Sequence, residues 1–261
     1  MREVNGLWQS FPTNRALFLS LVPLCLVGST PALAYRPFDG TDAAVADLGK
    51  MEIELQPAGA LRDTAGTTLI APQTRFNFGV LEGWEAVLEG QVQTKLSPPA
   101  SPSLSAPGMF LKNVLRPGSL QDKTGPSIAT EFGVLLPESQ GQTSFGASLA
   151  GIVSQRWGWG AIHLNGAVAL TREHHADLFL DTILEGPSKW PVRPVAEVFY
   201  EREFRQAQTI SGLAGLIWQV KDDLALDFGV RHALKNGHTV NEVRAGLTLG
   251  LQLWPSASAR R

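Results

Sequence analysis

Cysteine is almost missing from this chain. Its 261 residues hold one, Cys25, so no internal disulfide framework can staple the fold. Long apolar runs are scarce too. Beyond Ala34 no stretch approaches the roughly 18 apolar residues that a membrane-spanning helix requires. Charge of one sign is also lacking: 22 Lys and Arg against 24 Asp and Glu leave a net charge of −2, which gives no reason to expect nucleic acid as a partner. There is no phosphate-binding glycine loop, no His/Cys cluster at metal-ligand spacing and no basic stripe. These absences exclude a disulfide scaffold and a helical membrane protein. They also mean that no cofactor or metal is expected.

What is present starts at the N-terminus. Arg2 and Arg15 precede the apolar run Ala16–Ser29, and Ala32-Leu33-Ala34 follows it. A basic start, a short apolar run and an A-x-A site form a secretory signal peptide. Pro23 interrupts the run, which is too short to span a bilayer, and Leu24 is too large for a lipoprotein site at Cys25. The expected organisation is a signal peptide over residues 1–34 and one exported domain over residues 35–261, without cysteine.

That domain repeats one pattern. In Val243–Trp254, Val243, Ala245, Leu247, Leu249, Leu251 and Leu253 alternate with Arg244, Gly246, Thr248, Gly250 and Gln252. A period of two marks a strand with one apolar and one wet face. It persists for twice the roughly 5–6 residues usual in soluble domains. Elsewhere Glu52 and Glu54 oppose Met51, Ile53 and Leu55, while Glu85, Glu89 and Lys95 oppose Trp84, Ala86 and Leu88. Glu131 stands against Phe132 and Val134, and Arg193, Glu197 and Glu201 against Ala196, Val198 and Tyr200. Asp227 and Arg231 oppose Leu226, Phe228 and Val230, and Arg75 joins the wet set. Asp177, Asp181 and Glu185 share one helical face by spacing. They also share one strand face, and the β-branched neighbours and the Gly186-Pro187 stop favour a strand.

Eleven breaks separate these segments, which gives about twelve strands. The longest, Ser97–Gly108, is rich in Pro and Ser and is expected as an exterior loop. No other loop is long enough to fold inward as a constriction. Trp84, Trp157, Trp159, Tyr200, Trp218 and Trp254 are expected near strand ends, as girdle aromatics.

Long two-faced strands behind a signal peptide, without a spanning helix, imply an all-β fold: a single antiparallel up-and-down transmembrane β-barrel of about twelve strands. A strand tilted about 45° crosses the hydrocarbon in roughly 9–11 residues, and closure leaves no backbone group unpaired in lipid. The apolar face then meets lipid and the charged face lines the lumen. The expected location is the outer membrane. Expected partners are outer-membrane lipid, the barrel-assembly machinery during biogenesis, and a small solute that the sequence does not name.

The wet-face charges are the candidate pore lining, with Lys50, Asp223 and Glu242 alongside. Acids outnumber bases there about two to one, which predicts a weak preference for cations if the lumen is open. A narrow barrel whose acids and arginines pair, Glu197 with Arg193 or Arg231 for example, would stay polar inside without conducting. A soluble periplasmic ligand-binding barrel and a non-conducting surface barrel are the competing readings. Catalysis is not expected. His163 and Asn165 lie on a wet face with no serine at a telling offset, and the adjacent His174 and His175 point opposite ways.

Three segments also carry a likeness: Tyr35–Gly59, Thr124–Ser139 and Asn241–Leu251. They resemble the outer-membrane transporter family named for the meta-pathway of phenol degradation, with its RPF opening after the signal and its glycine-punctuated last strand. The resemblance runs from about Arg36 to Leu251, with the middle strands diverged. It implies a barrel of this size that passes small, often aromatic, hydrophobic compounds, and it assigns no binding residue. Barrels of this kind usually end on an aromatic residue, whereas here PSASARR follows Trp254.

Overall fold

The computed structural model describes residues 36–254. The signal-peptide segment and the seven residues after Trp254 lie outside them. Twelve antiparallel strands close into one barrel: β1 (Lys50–Asp63), β2 (Gly66–Leu81), β3 (Trp84–Ser97), β4 (Ser103–Arg116), β5 (Ser127–Leu135), β6 (Gly146–Trp157), β7 (Gly160–Leu170), β8 (Ala176–Glu185), β9 (Val192–Glu203), β10 (Ala207–Lys221), β11 (Leu224–Lys235) and β12 (His238–Gln252). Each strand pairs with the next and β12 closes on β1, so the architecture is the expected all-β up-and-down barrel. Besides the strands, the described residues include a turn of 3-10 helix at Ser119–Gln121.

Alternation decides which way each side chain points. On β11, Ala225 and Asp227 are buried, while Phe228 and Val230 are each 48% exposed. The same contrast separates Glu197 from Val198 and Arg244 from Val243. The outside is therefore a continuous apolar belt, which includes Leu88, Leu111, Leu164, Leu180 and Ile210. A belt this extensive has no counterpart on a soluble monomer and is what contact with acyl chains requires. Asp177 and Asp181 lie on β8, a strand and not a helix.

Connections alternate between two ends. The end where β1 begins and β12 finishes (the termini end) holds residues 82–83, 117–126, 158–159, 186–191 and 222–223; the far end holds the other six connections. All six tryptophans among the described residues sit at the termini end, and Trp157 and Trp159 stack there with centroids 5.2 Å apart. Tyr200 stands at the other end, three residues before the far-end finish of β9 at Glu203.

The expected exterior loop at Ser97–Gly108 is mostly strand. β4 begins at Ser103, and the connection is only residues 98–102. Pro98, Pro99, Ser101 and Pro102 lie in that connection, whereas Ser105 and Pro107 sit at a bulge, where Glu89 and Gln91 face Gly108 and Ser105. A bulge tolerates Pro107 because it interrupts the ladder anyway. The first break, expected over Ala58–Gly66, holds the β1–β2 turn at residues 64–65, but its first part is strand: a bulge falls between Leu55 and Ala58 opposite β12, and β1 continues to Asp63.

Val230→Arg places a charge on the belt near the middle of β11. It is expected to destabilise the barrel in liposomes by about 2–4 kcal/mol, read from the urea midpoint of refolding. A change near zero would place that face in water.

Candidate functional site

The barrel interior is crossed by the chain's own N-terminal segment. Residues 36–49 precede β1 and form neither helix nor strand. A backbone at this depth has to find partners for its N–H and C=O groups away from bulk water, and inward side chains of the wall supply them. Glu197 Oε1 accepts from the N–H of both Asp39 and Gly40, each at 2.8 Å. Asn165 grips Thr41 twice, accepting from its N–H at 3.2 Å and donating to its carbonyl at 2.9 Å. Ser154 Oγ accepts from Ala43 N–H at 2.9 Å, and Glu85 Oε2 from Ala46 N–H at 2.7 Å. Arg244 donates to Pro37 O at 2.7 Å, and Gln121 to Ala43 O at 3.0 Å.

Charges on this strap are matched in turn. Asp39 meets Arg244 at 2.8 Å and Arg231 at 3.4 Å, and Arg36 meets Asp227 at 3.5 Å. Lys112, fully buried, lies 3.1 Å from Thr41 Oγ1, with Glu85 at 3.6 Å and Asp42 at 3.9 Å. Two apolar contacts complete the docking. Phe38 packs on Val195, Ile217 and Ala225, and Ala43 sits with Ala129, Ile152 and Leu120. Inward glycines make room for it: a Cβ at Gly79 would strike the carbonyls of Ala46 and Asp47, and one at Gly246 would strike Arg36 and Asp227. The strap enters beside β12, passes β9, β7 and β6, and reaches β3 before joining β1.

The strap divides the lumen. On its far-end side lies a cavity of about 390 Å³, with Phe38, Leu61 and Ile70 among its lining. Four arginines (Arg36, Arg75, Arg231, Arg244) and four carboxylates (Asp39, Glu54, Glu89, Glu242) also face it. On the termini side a cavity of about 30 Å³ is lined by Asp42, His163, Glu185 and Arg193, room for one or two waters. The β4–β5 connection folds under it, where Arg156 holds Ser119 and Asp122. No constriction is expected from the loop lengths, yet the strap is one. It escapes notice because it has no period and consists largely of small residues.

No family model and no characterised protein matches the sequence. Solved structures do. An outer-membrane channel from Pseudomonas putida F1 is similar over 82% of this chain and 100% of its own, with TM-score 0.62 and 6% identity. The NanC porin covers 76% of this chain and 100% of its own, with TM-score 0.54 and 8% identity. The KdgM porin in complex with disordered oligogalacturonate covers 76% and 98%, with TM-score 0.51 and 12% identity. At such identities the likeness is one of fold.

Of the residues expected to line the lumen, Glu54, Glu85, Asp181, Arg193, Glu197, Asp227 and Arg244 are buried against the interior. Arg75 bridges Glu89 and Glu131 across it. Glu52 is half-buried beside Glu54 on β1, and Asp177 and Glu201 are half-buried on β8 and β9. Arg231 holds Glu242 at 2.6 Å, and Lys95 is exposed near the far end of β3. The expected pairing of Glu197 with Arg193 or Arg231 is not formed. Arg193 sits 3.6 Å from Glu185, and Glu197 serves the strap. The strap explains this, because it brings unpaired N–H groups to Glu197 and a competing carboxylate, Asp39, to Arg231.

Sequence reasoning missed Lys112, hidden behind the supposed loop, and Ser154. No serine stands at a telling offset along the chain from His163, yet Ser154 faces His163 across the β6–β7 pair, with Oγ and Nδ1 2.8 Å apart. Glu185 lies 3.5 Å from the other ring nitrogen. This Ser–His–Glu row is closed to a substrate, since Ser154 is fully buried beneath Ala43.

Glu197→Ala removes the acceptor for two strap N–H groups, bonds worth about 0.5–1.5 kcal/mol each. Hydrogen exchange at Asp39 and Gly40 is expected to quicken at least tenfold. Unchanged exchange would show that Glu197 does not hold the strap.

Proposed function

We propose that the protein is an outer-membrane channel for small molecules, closed by its own N-terminal strap, so that passage requires the strap to shift. The observation that carries this reading is the strap lying between a far-end cavity of about 390 Å³ and a termini-side pocket of about 30 Å³. The apolar belt, the tryptophans at one end and the signal-like N-terminus support an outer-membrane location, with lipid and the assembly machinery as partners. Cleavage after Ala34 would leave Tyr35 and Arg36 at the head of the strap.

The resemblance to the meta-pathway family points to hydrophobic or aromatic solutes, and Phe38, Leu61 and Ile70 offer a surface for an apolar body. The arginines and carboxylates of that cavity are balanced in number, which argues against the cation preference suggested by the wet faces as a whole. We assign no catalytic role to Ser154, His163 and Glu185, whose geometry serves the strap. A non-conducting barrel is the second reading, favoured by the many bonds that hold the strap.

Cysteines in place of Ala43 and Ser154, whose backbone N–H and Oγ are 2.9 Å apart, would lock the strap to β6. In planar bilayers the oxidised variant is expected to lose the conductance that reductant restores. Equal conductance in both states would refute strap gating, and silence in both at every voltage would favour the non-conducting barrel.

A further inference from the structure

At the far end, away from the strap, a group of side chains is built for something the lumen does not use. His175, in the β7–β8 connection, has Nδ1 3.0 Å from Glu203 Oε1 and 3.8 Å from Glu173 Oε2. One ligand atom from each of the three lies within 4.8 Å of the others. Ligands around a small divalent ion with bonds near 2.1 Å stand about 3–3.5 Å apart, so modest side-chain movement closes this set on an ion.

The imidazole is held in place. Thr171 N–H donates to His175 O at 2.8 Å, and His175 N–H donates to Thr171 Oγ1 at 3.1 Å. The Gln206 amide nitrogen lies 3.2 Å from the outer ring nitrogen, Nε2, and donates to it while Nδ1 carries the ring proton toward Glu203; turning the amide over puts its oxygen where it accepts from Nε2–H once Nδ1 binds an ion. Glu203 arrives on the last residue of β9, and Phe204 N–H ties that strand end to Ala176 O at 2.9 Å.

Carboxylates crowd this corner. Asp177 stands directly opposite Glu203 in the β8–β9 register, an arrangement that opposes pairing, and its Oδ1 has no hydrogen-bond partner. Two of the three nearby arginines are engaged elsewhere: Arg172 donates to the carbonyls of Leu136 and Pro107, and Arg202 stacks on Phe204, while Arg205 follows Glu203 in the β9–β10 connection.

We propose that Glu173, His175 and Glu203 form a site for a divalent cation of the zinc class, with water completing its shell and Asp177 as a neighbouring outer carboxylate. An imidazole ligand selects zinc-like ions over magnesium and calcium, which prefer oxygen alone. Glu173 is half exposed, so the ion can enter from the far-end solution. Once bound, it joins the β7–β8 connection to the end of β9 and stiffens that sector of the rim. The proposal stands independently of conduction through the lumen.

The test is calorimetric titration of zinc chloride into untagged protein refolded in detergent free of lipopolysaccharide. One saturable ion per chain is expected for the native sequence and for His174→Ala, whose ring lies outside the cluster. At least tenfold weaker binding is expected for His175→Ala and Glu203→Gln. X-ray absorption of the zinc form is expected to show one nitrogen donor among oxygens. No saturable binding, equal affinity after His175→Ala, or displacement of zinc by equimolar magnesium would each overturn the site.

Discussion

An irregular backbone can lie inside a barrel at membrane depth only if its N–H and C=O groups find partners in the wall, in the segment itself or in lumenal water. That constraint organises the interior of this protein. Carboxylates in a lumen are commonly read as a field for ions, but Glu197 and Glu85 each turn one oxygen to strap amides. Asn165, Ser154 and Gln121 do the same with neutral groups, and Arg244 covers a strap carbonyl and a strap carboxylate at once. The interior is polar because a piece of chain has to be docked there. The outside is apolar because nothing else meets it.

The two faces of the wall follow different logics, and this decides what could be read in advance. The outer face obeys one rule over its whole length, so Val230, Val243 and their neighbours announce it through period two. The inner face mixes charges with Ile152, Ile183 and Ile217, all buried, because it packs against a strap as well as facing water. Composition misled over the second half of Ser97–Gly108, where Ser105 and Pro107 mark a bulged strand and the loop is only residues 98–102. It concealed Lys112 for the same reason. Strand number and the positions of most turns were legible, since glycine, proline and paired polar residues interrupt the alternation wherever the chain reverses.

The strap itself left only indirect traces. Residues 36–47 have no periodicity, and their side chains are mostly small. The inward surplus of acid over base was the available signal: carboxylates without arginines require other donors, and in a sealed interior these are backbone amides. Gly79 and Gly246, on inward positions, were a second trace, since each removes a side chain where the strap passes. The Ser154–His163 contact was invisible along the chain because it is made across strands, which only the register reveals. The segment that carried the family likeness, from Tyr35 onward, includes the strap, which suits a device of this kind more than a loop or a wall strand.

The most direct measurement is one-sided labelling of a cysteine placed in the far-end cavity, above the strap. With Cys25→Ser as background, Gln91→Cys is exposed to a membrane-impermeant maleimide from either face of oriented proteoliposomes. Gln91 lines that cavity, so the account predicts rapid reaction from the far end and none from the termini end. Equal rates from both faces would mean that the strap does not close the barrel.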